Sequence, residues 1–112
     1  MGFHAYTSRK EKYCVLHMEG NSLSNEEKQY INQQLNSLAV TEDNLVIYVT
    51  DLQYINSQLL GQLLIAFKAI KKKKGNFALV GPRGSVLDLL KITGMDKVFP
   101  VYLSKADFEK TA

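Results

Sequence analysis

The chain has 112 residues with a formal net charge of +3, 46% apolar and 22% charged residues. That length fits one domain with its own core, and the composition is that of a soluble globular protein rather than a disordered or fibrous one. The charge is mild and no element carries a row of aromatics among its basic residues, which argues against a nucleic-acid binder. The single cysteine, Cys14, excludes an internal disulfide framework and reads as a small core residue in a reducing compartment.

Residues 3–8 and 13–19 read as two strands joined by the polar turn Ser8 to Lys12, an N-terminal hairpin closed by Gly20. Ser24 and Glu27 form a capping box ahead of a helix with Tyr30, Ile31, Gln34, Leu35 and Leu38 along one side. Leu45 to Val49 is continuously apolar, as a strand covered on both faces is. A turn over Asp51 to Asn56 leads into a central helix presenting Leu60, Leu63, Leu64, Phe67 and Ile70 to the core. The helix ends in Lys71 to Lys74, with Gly75 read as the glycine just past its C-cap.

Phe77 to Val80 is the next strand, and Gly81-Pro82-Arg83-Gly84 is a loop. Ser85 and Asp88 then open a third helix with another capping pattern, and Gly94 stops it. Phe99 to Leu103 is the last strand, and Ser104 to Asp107 starts a short terminal helix. The order ββαβαβαβα predicts an α/β fold: a mixed, mostly parallel sheet with an N-terminal hairpin and packed helices.

Three blocks carry a resemblance to a known family. They are Asp51-Leu52-Gln53-Tyr54-Ile55-Asn56-Ser57 with Leu60-Gly61, then Lys73 to Val80, then Leu89 to Phe99. In this order and spacing they resemble the STAS domains, the anti-sigma-factor antagonist family, from about Tyr13 to Phe108. The resemblance implies a single STAS domain over 1–112. It also implies a bacterial, cytoplasmic, partner-switching regulator of transcription that binds protein rather than catalysing a reaction.

Members carry D-S-[ST]-G-L-G at the start of the central helix. In the antagonists the first serine is phosphorylated by a GHKL-type serine kinase that doubles as the anti-sigma factor, and a PP2C-type phosphatase reverses this. Ser57 aligns with that serine, and the resemblance makes Asn56, Ser57, Gln58, Leu59 and Gly61 the partner-binding surface. The sequence departs from the pattern, with Asn56 for the aspartate, Gln58 for the second hydroxyl residue and Leu59 for the first glycine. The acidic G-E-[LI]-D segment after the second strand reads Gly20-Asn21-Ser22-Leu23.

Two readings of Ser57 stand at this point. Serine is a preferred N-cap, and a hydroxyl at a helix N-terminus faces N–H groups that suit a phosphate. The other three helices open with Ser-x-x-acid, whereas Ser57 has Leu60 three residues on. A missing acid removes repulsion against a phosphate, and a core-facing Leu60 explains the same absence. Leu59 is either a bulky neighbour of the acceptor or a core residue. If the family position transfers to Gly61, a side chain there crowds a neighbouring backbone.

The remaining candidates have plainer accounts. Lys71 to Lys74 reads as a solvated helix end favoured by the dipole, against contact with phosphates or acidic lipid. The 81–84 loop lacks Walker spacing and its lysine. His4 and His17 have no acid or cysteine at ligand spacing, so no metal site is expected, and Asp43 and Asp51 show no acid–base pairing. No cofactor, no membrane span and a free monomer are expected. Besides the phosphorylated antagonist, two alternatives remain: a degenerate scaffold without a phosphorylation cycle, and a small-ligand sensor or transport-complex subunit.

Overall fold

A computed structural model describes residues 3–20 and 25–111. Its elements are β1 (Phe3–Arg9), β2 (Cys14–Gly20), α1 (Asn25–Thr41), β3 (Asn44–Tyr48), α2 (Ser57–Lys72) and β4 (Asn76–Val80). They continue with α3 (Gly84–Thr93), a 3₁₀ turn (Met95–Lys97), β5 (Val101–Tyr102) and α4 (Lys105–Thr111). This is the predicted order. The sheet runs β1-β2-β3-β4-β5, with β1 antiparallel to β2 and every later pair parallel.

Side chains alternate across the sheet, so one set of strand residues faces α1, α2 and α3 and the other faces α4. Leu16, Met18, Leu45, Ile47 and Leu79 join Ile31, Leu35, Leu63, Ile70 and Leu90 in the larger core. Val15, Val46, Tyr48, Ala78 and Val80 form the smaller one, closed by Phe108 of α4. β3 contributes to both, which is why its sequence is unbroken apolar. Cys14 is buried in the larger core, and burial pushes its thiol pKa up.

Several local expectations change. The buried face of α2 is Leu59, Leu60, Leu63, Ala66 and Ile70, while Leu64 and Phe67 are only half-buried. The left-handed residue after α2 is Lys74, at φ 64°, not Gly75. Gly75 is needed for another reason: a Cβ there would overlap the carbonyl oxygen of Asp43. Lys73 is not simply solvated, since its Nζ donates to Val40 O at 3.1 Å and Glu42 O at 2.7 Å. It supplies a cation to the C-terminus of α1, whose own last turn has no basic residue.

Ser85 does not cap α3. The helix starts at Gly84 with Arg83 as an N-cap that makes no side-chain bond. Ser104 does behave as read, accepting from Asp107 N–H at 3.1 Å. The last strand shrinks to Val101–Tyr102, because Met95–Lys97 winds into a 3₁₀ turn first and Pro100 has no N–H for a ladder. Ser24, the capping half of the Ser24–Glu27 box, and the 21–23 segment lie outside the described residues.

Candidate functional site

The loop between β3 and α2 is held from two sides before it reaches Ser57. Gly20 N–H donates to Asp51 O at 3.1 Å, and Gln53 N–H returns to Gly20 O at 2.8 Å, extending the β2–β3 pairing into the loop. From the other side, Ser85 Oγ donates to Gln53 O at 2.8 Å. Leu52 and Ile55 are buried in the larger core and pin the loop from below. Tyr54, between them, is 53% exposed.

This clamp places Asn56 in extended backbone, φ −112° and ψ 171°, directly before the helix. Its Oδ1 accepts Leu59 N–H at 2.8 Å, and its carbonyl accepts Leu60 N–H at 3.0 Å. Asn56 is therefore the N-cap, and the reading of Ser57 as the cap is corrected. Both residue types cap well; the backbone conformation of Asn56 selects the one that does. Ser57 becomes the first helical residue, exposed, and its hydroxyl has no hydrogen-bond partner among the described residues.

The five residues singled out in the sequence part company here. Asn56, Ser57 and Gln58 lie together at the N-terminal end of α2, and Ser57 and Gln58 are exposed. Leu59 is 2% exposed and packs in the larger core, so its side chain is withdrawn from the surface. Gly61 is half-buried, and a Cβ there would meet no atom within 4 Å. The expectation of a crowded backbone at Gly61 is wrong, because that side of α2 has no close neighbour.

Charge at this end is set by the helix itself. The first turn of α2 has no acidic residue, so the partial positive charge of its N-terminus is not neutralised from within. Beside it lies a small hollow of about 80 Å³ between α1 and α2, lined by Lys28, Gln29, Asn32, Asn56, Gln58 and Gln62 among others. Among the described residues its lining is mostly amide, with Lys28 its one cation. Sequence reasoning missed Lys28 and the Ser85 brace, because both depend on segments distant in the chain coming together. Among the described residues no group of three or more His, Cys, Asp or Glu is placed to hold a metal ion. Among them, too, no helix is long and apolar enough to cross a membrane.

A model of the STAS domain matches residues 5–108. The chain belongs to the STAS domain family. An anti-sigma factor antagonist from Mycobacterium paratuberculosis superposes with a TM-score of 0.84 at 19% identity, covering 97% of this chain and 92% of that one. An anti-sigma-factor antagonist (STAS) domain protein from Planctomyces limnophilus gives 0.78 at 18% identity, covering 91% and 92%. The Bacillus cell-fate determinant SpoIIAA in its phosphorylated form gives 0.74 at 11% identity, covering 97% and 100%. No curated protein sequence matches the chain. At these identities the solved structures establish a shared fold.

Proposed function

We propose that this STAS domain acts as one non-catalytic, bacterial and cytoplasmic unit of the anti-sigma-factor antagonist type, and that it docks its partner through the Ser57 end of α2. The partner is a GHKL-type serine kinase that serves as anti-sigma factor. Phosphorylation of Ser57 releases that partner, and a PP2C-type phosphatase resets the cycle. The observation that carries this reading is the division of labour at the helix start: Asn56 caps, so the Ser57 hydroxyl is exposed and uncommitted.

The physical chemistry supports the switch. A phosphate on Ser57 adds about −1.5 to −2 charges at a helix N-terminus whose dipole favours them. The fold tolerates it while the docking face changes from neutral to anionic. Leu59, the bulkiest departure from the family motif, is buried and presents no obstacle to a kinase. Asn56 and Gln58 are then the departures a partner meets, and both keep hydrogen-bonding groups.

Incubation with the kinase-like partner and ATP, followed by intact-mass measurement, tests this. One added phosphate, absent in Ser57→Ala, is the expected result. Tight binding with no added mass leaves the protein a scaffold and removes the phosphorylation cycle.

A further inference from the structure

β1 closes one side of the sheet and has β2 as its neighbour. Two hydrogen bonds near the ends of the hairpin fix which way its backbone groups point. Lys10 N–H donates to Tyr13 O at 2.9 Å, in register with the Arg9↔Cys14 pair. Hydrogen-bonded and non-bonded pairs alternate along an antiparallel ladder, so Ser8, Tyr6 and His4 direct their N–H and C=O groups at β2. The far end agrees, since Gly20 directs its N–H and C=O toward the β3 side, at Asp51 and Gln53. Even-numbered residues of β2 thus face β3, and odd-numbered ones face β1. It follows that Ala5, Thr7 and Arg9 aim their backbone groups out of the sheet. Among the described residues, no backbone or side-chain group bonds to them.

Edge strands normally carry protection against pairing: a proline, a bulge, a projecting charge or a covering element. From His4 to Ser8 the sequence has no proline and no charged Lys, Arg, Asp or Glu. The register with β2 runs unbroken, so there is no bulge. The one Lys or Arg charge of the strand, Arg9, is turned onto Glu42 of its own chain at 2.7 Å.

We propose that β1 pairs antiparallel with β1 of a second copy about a two-fold axis at Tyr6, joining two sheets into one. That axis sets Ala5 opposite Thr7 of the second copy, so outward-pointing groups meet outward-pointing groups. It sets His4 opposite Ser8 of the second copy and places Arg9 opposite position 3, so like charges never face one another. Axes at Ala5 or Thr7 keep the same alternation but shorten the paired length. Tyr6 is 45% exposed and stacks on His17 at 4.5 Å; it would meet Tyr6 of the second copy and continue that row of rings. The strand is complementary to itself, and its one Lys or Arg charge, Arg9, is paired within its own chain rather than left to select a foreign one. For these reasons the occupant is a second copy.

One strand pair is smaller than the ~1,200–2,000 Å² of a stable interface, so the association is reversible and concentration-dependent. The expected free monomer then describes dilute protein. Because β2 lies between β1 and β3, the dimer leaves the Ser57 end open, and the proposal stands or falls independently of that site.

Sedimentation over a dilution series up to ~1 mM, with residue-resolved amide exchange, tests it. The mass should climb toward twice the monomer value. The amides of Ala5, Thr7 and Arg9 should pass from fast to slowed exchange as concentration rises, while Tyr6 and Ser8 stay protected throughout. Thr7→Pro removes an outward N–H and no ladder bond, and should return the mass to that of a monomer. If that variant fails to fold, Tyr6→Lys opposes two like charges at the axis and should do the same, whereas Tyr6→Phe should still dimerise. A monomer at ~1 mM overturns the proposal. So does a dimer unaffected by these variants, or protection of 5, 7 and 9 that appears only when a different protein is added.

Discussion

Replacing Asn56 and Ser57 by alanine, one at a time, separates the cap from the uncommitted hydroxyl. Asn56→Ala removes the acceptor at 2.8 Å from Leu59 N–H and leaves a partly buried donor at the start of the helix. Loss of such a cap costs about 1 kcal/mol, within a range of roughly 0.5–2. With unfolding entropy near 2.1 cal/mol/K per residue, a 112-residue chain melts about 4 °C lower for each kcal/mol lost. Ser57→Ala removes an exposed, unbonded hydroxyl at a helical position where alanine is the better helix former, so its stability should change by no more than about 0.5 kcal/mol. Urea and thermal melts of the two variants against the parent read this directly. Equal losses, or a larger loss at Ser57, would refute the assignment of Asn56 as the cap and return Ser57 to a structural duty.

Gly61→Ala should stabilise the protein by up to about 1 kcal/mol, because a Cβ there meets nothing within 4 Å and helix glycine is costly; a measured loss in urea melts would contradict the open surface. Leu63 is fully buried beneath α2, so Leu63→Ala should cost about 2–5 kcal/mol, and a loss under half a kcal/mol would mean the helix faces another way. His17 has its pKa lowered by burial first and then by Lys105 and Lys10, with Glu19 and Asp51 opposing. The folded state therefore favours neutral His17: its stabilisation is complete above the unfolded value near 6.5 and is lost as pH falls through the lower folded value. Melts in that window should show this slope in the parent and a shallower one in His17→Gln; unchanged slopes would contradict it.

The architecture was legible because hydrophobic periodicity reports it strongly. Leu45 to Val49 announced a doubly covered strand, and the alternation of strands and helices announced the parallel sheet. The failures share one physical character: each turned on backbone conformation or on contacts between distant segments. Asn56 and Ser57 are both good caps side by side, and only the extended backbone at Asn56 decides between them. Ser85 and Ser104 open with the same Ser-x-x-acid pattern, yet Ser104 caps while Ser85 reaches Gln53 across the fold. Gly75 looked like a left-handed stop, but that role fell to Lys74 while Gly75 answers to the carbonyl of Asp43. At the candidate site the sequence placed Asn56, Ser57 and Gln58 at one helix end, where the structure also has them. Of the two readings of Leu59 the structure selects the core one, and what the sequence missed is that the loop is clamped by Gly20 and Ser85.

The central claim, that a partner docks at the Ser57 end of α2 and is released by charge there, is tested most directly by binding affinity for the cognate kinase-like anti-sigma factor. Titration calorimetry of the parent, Ser57→Ala and Ser57→Glu, each first shown by melting to keep its fold, is the measurement. The account requires Ser57→Ala to bind like the unmodified parent and Ser57→Glu to lose binding by at least tenfold, about 1.4 kcal/mol. Equal affinity for all three proteins would contradict it and move the docking surface elsewhere on the molecule.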